Sequence, residues 1–216
     1  RYLIEAGSPI KHLNDSDESL LHLAARGNCA DLIRFLINEG LDVNGRDQPG
    51  DTPLHDTTYS DCTEAAAVLI ECGADINARE SSQITPLLWS VSYDSPGVLQ
   101  LLLDAGADPN EPGSSSGSFP LGSACHSSGN DRVPETVKLL LDAGADVNKK
   151  DRTGQTAIHW AVNWHGGSPL VSYLLSRGAD PSIENAKGQN ALQLAIKKRD
   201  PTLERLLKDH MERDRH

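Results

Sequence analysis

The side chains best able to do chemistry in this chain are eight histidines, four cysteines and an aspartate that recurs at regular intervals. Metal binding or nucleophilic catalysis would require some of them to converge. His126 and His165 lie in or near turns, but neither has a second ligand at metal-site spacing. Cys125 directly precedes His126, yet neighbours on a helix point about 100° apart and cannot act as a nucleophile–base pair. Ser114, Ser115 and Ser116 sit between glycines, but the Gly-Lys-Ser/Thr of a phosphate loop does not follow. Cys29, Cys62, Cys72 and Cys125 form no Cys-x-x-Cys pair, so neither a zinc site nor a disulfide framework is indicated. Free thiols point to a reducing compartment, cytoplasmic or nuclear. Asp42, Asp75, Asp108, Asp146 and Asp180 are no catalytic set; they recur because aspartate accepts local backbone hydrogen bonds in a turn. The sequence predicts no catalytic residue, no metal and no cofactor, hence not an enzyme.

Those aspartates belong to a phrase that repeats. It reads Asn38-Glu-Gly-Leu-Asp-Val-Asn44, then Glu71-Cys-Gly-Ala-Asp-Ile-Asn77. It returns as Asp104-Ala-Gly-Ala-Asp-Pro-Asn110, Asp142-Ala-Gly-Ala-Asp-Val-Asn148 and Ser176-Arg-Gly-Ala-Asp-Pro181. Its glycines, Gly40, Gly73, Gly106, Gly144 and Gly178, are separated by 33, 33, 38 and 34 residues. A period in this range means stacked repeats rather than one central core. Roughly a dozen residues after each glycine comes a helix start. The clearest is Gly50-Asp-Thr-Pro-Leu-His55, with Ile84-Thr-Pro-Leu-Leu88, Gly154-Gln-Thr-Ala-Ile-His159 and Gly188-Gln-Asn-Ala-Leu-Gln193 beside it. Thr52 or Thr156 can cap a helix, and Pro53 and Pro86 fall at the first helical position. Second helices carry apolar patterns such as Leu32, Ile33, Leu36, Ile37 and Val98, Leu99, Leu102, Leu103. The glycine after each suits a left-handed C-terminal cap. Each unit is thus helix, turn, helix, hairpin.

The two phrases, in phase over about six units, resemble the ankyrin repeat with its Thr-Pro-Leu-His start and 33-residue period. The resemblance implies an all-α repeat solenoid of stacked helix-turn-helix-hairpin units, forming one domain over residues 1–216. Residues 1–13 read as the tail of a truncated repeat. Full units follow at 14–46, 47–79, 80–112, 113–150, 151–184 and 185–216, the last read as a polar C-terminal cap with Leu203, Leu206 and Leu207 inward. The start in mid-repeat reads as an excerpt from a longer protein. The fourth unit departs most, with Phe119-Pro-Leu in place of Thr-Pro-Leu and longer loops at 111–119 and 127–134. The resemblance also implies that His22, His55 and His159 are structural and bond backbone in a neighbouring hairpin.

Composition narrows the partner. A net charge of −11 and an isoelectric point near 5.1 argue against nucleic acid, which needs a basic face, and against an anionic membrane surface. They are compatible with a basic protein or peptide. No apolar run is long enough to span a bilayer. In proteins of this kind partners usually lie on the concave side, made of hairpin tips and first helices. In phase, that row reads Arg26, Tyr59, Ser60, Ser92, Tyr93, His126, Asn163, Trp164 and Lys197. Tyrosine, tryptophan and arginine are enriched at binding hot spots. The alternative is that Tyr93 and Trp164 pack against the adjacent turn and serve stability. Asp15, Glu18 and Asp51 make the early hairpin tips acidic; Arg152 and Lys187 make the late ones more basic. Trp89 and Trp160 fall in an apolar phase and are expected in the core. The expected function is a monomeric, non-catalytic interaction module; the alternative is a scaffolding or autoregulatory part of a larger enzyme, channel or effector.

Overall fold

The computed structural model describes residues 13–113, 117–126, 133–163 and 167–213. Over these the protein is an all-α repeat solenoid with twelve α-helices, and the chain divides into two compact units, residues 1–107 and 108–216. Unit 1 holds α1 (Leu20–Arg26), α2 (Ala30–Asn38), α3 (Pro53–Asp56), α4 (Thr63–Glu71), α5 (Pro86–Ser92) and α6 (Pro96–Asp104). Unit 2 holds α7 (Pro120–His126), α8 (Glu135–Asp142), α9 (Ala157–Asn163), α10 (Gly167–Ser176), α11 (Ala191–Lys198) and α12 (Pro201–Arg213). Odd-numbered helices are the first of each repeat and even-numbered ones the second. In unit 1, α1 packs on α2 and α3, α2 on α4, α3 on α5 and α4 on α6. In unit 2, α7 packs on α8 and α9, α9 on α10 and α11, and α10 on α12. Each repeat therefore buries its apolar side against its neighbour, as a stack must. Ile33, Leu36, Val98, Leu99, Leu102, Leu203 and Leu207 are buried as the pattern predicts, whereas Leu32 is exposed and Leu206 only half-buried.

Local chemistry sets the joints. Gly40, Gly73, Gly106, Gly144 and Gly178 all have φ between 85° and 94°, the left-handed cap that a side chain would strain. Asp42, Asp75, Asp108, Asp146 and Asp180 each accept the backbone N–H two residues on. The asparagine that follows reaches across to the next repeat. Asn44 Oδ1 accepts the Asp75 N–H at 2.7 Å while its amide donates to the Gly73 carbonyl at 3.4 Å. Asn110 does the same with Asp146 and Gly144, and Asn148 with Asp180 and Gly178. Between the helices of a repeat, Asn28, Asp61 and Asp94 adopt left-handed φ near 50°. The Asp61 carboxylate accepts the N–H groups of Gly97 and Val98, capping α6 from the preceding repeat.

The three signature histidines lock the first helices. His22, His55 and His159 Nδ1 each accept the backbone N–H of the cap residue, Ser19, Thr52 and Thr156, at 3.1 to 3.2 Å. That leaves the proton on Nε2, which donates to the carbonyls of Asp51, Ile84 and Gln189 in the next hairpin. Here histidine takes the part that Glu or Gln plays in a capping box. Burial lowers the pKa of all three, that of His55 to about 4. The fourth repeat solves the same problem without polar groups. Phe119 stands where threonine would, Gly122 where histidine would, and the ring lies where a Gly122 Cβ would meet it at 2.9 Å.

Candidate partner-binding face

In unit 1 the first-helix face is built around a deformed helix. α3 stops after four residues and continues as a 3-10 turn, Thr57–Ser60. The cause is local: the hydroxyls of Thr57 and Thr58 donate back to the carbonyls of Leu54 and His55 at 2.7 and 2.8 Å, competing with the helical ladder. The tightened turn carries Tyr59 outward, 40% exposed. Its ring meets Tyr93, 47% exposed, at 4.7 Å between centroids and Trp89 at 5.3 Å, in edge-to-face geometry. Trp89 also abuts Tyr93 and the ring of His55. Ser60 is exposed beside them, and the Ser92 hydroxyl donates into its own helix at the Leu88 carbonyl.

Two expectations are corrected here. Trp89 is half-buried rather than core and belongs to the aromatic cluster, and Trp160 is half-buried too. The fifth position of the signature has no fixed side: Leu23 there is exposed, whereas Leu194 and Asp56 at the same position are buried, so packing by the neighbours decides it. Asp51, expected as a solvated hairpin tip, is 4% exposed, and Asp56 on α3 is 1% exposed. Burial pushes the Asp56 carboxyl up to about 7 against the pull of Arg26, and that of Asp51 up to about 6 with Asp47 and Glu80 adding to it. Arg26, half-buried, bonds Glu18 and stands 3.8 Å from Asp56.

Unit 2 presents a different face. His126 packs edge-on against Trp160 at 5.3 Å, and the Trp160 indole N–H donates to Asp151 at 3.2 Å. The Asn163 amide donates to Gln155 at 3.0 Å, while Lys198 donates to the Asn163 carbonyl. Lys197 lines a cleft of ≈ 440 Å³ with Arg152, Gln155, Asn163, Lys187 and Gln189. The cleft is cationic and rich in amides. Trp164 and most of the fourth-repeat loops lie outside the described residues. Among the described residues no cluster of His, Cys, Asp or Glu is arranged to hold a metal ion, and no helix is long and apolar enough to cross a membrane.

Comparison with known proteins agrees with the geometry. A family profile described as "Ankyrin repeats (3 copies)" matches residues 1–80, 78–151 and 121–215. The ankyrin repeat domain of Bcl-3, titled a unique member of the IkappaB protein family, superposes with a TM-score of 0.80 at 28% identity, over 96% of this chain and 89% of that one. The human ASB11 ankyrin repeat domain gives 0.83 at 25% identity, over 97% and 90%. Among curated sequences, "Putative ankyrin repeat protein L271" of Acanthamoeba polyphaga mimivirus is 32% identical over 78 residues, 36% of this chain. "Palmitoyltransferase AKR1" of Lachancea kluyveri is 49% identical over 41 residues, 19% of this chain. The matched stretches span 11% and 5% of those two proteins. Periodic caps, clamping asparagines, histidine-locked helices, profile and superposition all lead to one statement: this chain belongs to the ankyrin-repeat family.

Proposed function

We propose that the chain is a non-catalytic interaction module that binds a partner protein or peptide through its first-helix faces. Ankyrin repeats generally serve protein–protein interaction, and the profile match extends this to the chain as a class. The finer reading assigns Arg26, Tyr59, Ser60, Ser92 and Tyr93 of unit 1, and His126, Asn163, Trp164 and Lys197 of unit 2, as partner contacts. One observation carries it: Tyr59, Trp89 and Tyr93 form a ring cluster whose tyrosines stay 40% and 47% exposed. An isolated surface aromatic needs no explanation, but three in contact make an anchor for a partner. The acidic balance supports a partner with basic patches and argues against nucleic acid.

The test is affinity capture with the wild-type chain beside the Tyr59→Ala/Tyr93→Ala/Trp164→Ala variant, followed by direct titration of the captured partner. The reading requires the variant to lose affinity about tenfold or more with helix content unchanged. Equal affinity would remove the first-helix face from the proposal. A second reading, an internal scaffold or autoregulatory region of a larger protein, is favoured by the small share of the curated relatives that the match spans. Its ligand would then be another segment of the parent chain, and capture from extracts would be blocked by that segment supplied in trans.

A further inference from the structure

Resting on that reading, a more specific one concerns the corner of unit 1 where acid and aromatic groups meet. Asp51 Oδ1 and Asp56 Oδ2 are buried and accept no hydrogen bond. An unsatisfied buried polar atom is costly and rare, and it calls for a cause. The cation that faces them is Arg26, with its guanidinium 3.8 Å from Asp56 Oδ1, beyond hydrogen-bond range, while Glu18 takes its direct bond. Asp47 adds negative charge at both, Glu80 at Asp51 and Glu18 at Asp56. Both carboxyls act on the Tyr59 phenol, so the acid pair and the aromatic cluster share one neighbourhood. Buried carboxyl oxygens without donors, set beside partly exposed aromatic rings, match one kind of ligand group: a cationic head on an apolar stem.

We propose that this corner receives an arginine or lysine side chain of a basic peptide segment, whose head displaces Arg26 from above Asp56 while its stem lies on Tyr59 and Trp89. Arg26, a member of the row assigned to the partner, then takes part as a stand-in for the incoming cation and not as an attractive contact. It holds the acid pair in the free protein and swings to remain on Glu18 when the partner's cation arrives. The arrangement discriminates by charge: a neutral head of the same shape can donate hydrogen bonds to the carboxyl oxygens but brings no countercharge, and charge-assisted bonds are roughly twice as strong as neutral ones.

The experiment is an NMR titration of the whole chain with three acetylated, amidated pentapeptides, Ala-Leu-X-Leu-Ala, in which X is arginine, its neutral isostere citrulline, or glutamate. The readout is the Trp89 indole N–H, assigned with Trp89→Phe. The arginine peptide should shift it saturably and bind about tenfold or more tightly than the citrulline peptide. Asp56→Asn should weaken the arginine peptide about tenfold, with Asp51→Asn as the second variant if the first fails to fold. Arg26→Gln should tighten it, since the competitor is gone. Equal binding of arginine and citrulline peptides, preference for glutamate, or weakening by Arg26→Gln would each overturn the proposal. If the arginine peptide leaves Trp89 unmoved while the aromatic variant still loses the native partner, the cation subsite falls and the module stands. If the aromatic variant keeps the partner as well, both fall.

Discussion

The two units use the same repeat to present opposite chemistry. In unit 1 the first-helix face carries Glu18, Asp51 and Asp56 beside Tyr59, Trp89 and Tyr93; in unit 2 it carries Arg152, Lys187 and Lys197 among amides, with Trp160 tied to Asp151. The helix starts differ as well. Unit 1 relies on His22 and His55, whereas unit 2 opens with the apolar Phe119–Gly122 pair and uses histidine only at His159. The joints, by contrast, are alike: cap glycines, turn aspartates and clamp asparagines recur in both. The scaffold thus fixes where a side chain stands and leaves its character free.

The largest effect should come from exchanging the two kinds of helix start. Phe119→Thr removes a buried ring and should cost about 3 kcal/mol, read from denaturant unfolding. Adding Gly122→His should recover part of that loss by rebuilding the polar lock; additive losses would show that the two starts are not interchangeable. Next, His55→Gln keeps a side chain able to bond the cap, as Gln193 does with Asn190, but shortens the reach to the Ile84 carbonyl. A loss of about 1–2 kcal/mol at pH 8 is expected.

The pH dependence separates the groups by sign. The buried histidines have folded pKa values below their unfolded value of about 6.5, so their contribution is whole above that pH and is lost as pH falls, through about 4 for His55. Asp56 is the reverse. Its folded value of about 7 lies above the unfolded one, so its contribution is whole below about pH 3.8 and is lost as pH rises through 7. The two trends oppose each other across one window. Asp56→Asn should therefore raise stability by about 1–3 kcal/mol at pH 8, with the gain gone by pH 4, and should leave a steeper rise due to the histidines. A loss of stability at pH 8 would mean that the carboxylate holds unit 1 together. The smallest effect is expected in unit 2. Lys187→Glu with Lys197→Glu should change stability by no more than about 0.5 kcal/mol, yet alter the salt dependence of partner association.

What could be read from the sequence was whatever repeats through local chemistry. The period, the positive-φ glycines and the aspartate turns follow from residue type at a fixed phase, and the backbone-bonding histidines from the family resemblance. What escaped depended on neighbours in space. Trp89 and Trp160 look apolar and so read as core, but the outward side of a short helix is decided by packing. Asp51 read as a tip because aspartates usually are, yet it is 4% exposed. Thr57 and Thr58 did carry a signal, since adjacent hydroxyls favour bonding back to the preceding turn. The loss of threonine at position 119 was visible, but its compensation by Gly122 appears only once the ring is seen above the missing Cβ.

The clamp at Asn44 has a chemical corollary in protein ageing. Of the three asparagines seen bridging repeats, this one alone is followed by glycine, Gly45. With no side chain to obstruct it, such a peptide nitrogen can attack the asparagine amide, expel ammonia and leave an aspartyl or isoaspartyl residue. In the folded protein that attack is restrained twice: the amide is held against Gly73 and Asp75, and the Gly45 N–H is bonded to the Asp42 carbonyl at 3.1 Å. Opening of this junction would release both reactants together, and the carboxylate formed could no longer donate to Gly73. A reversible breathing motion would then leave a permanent scar, and the mass of the peptide around residue 44 would record how often the repeats had parted.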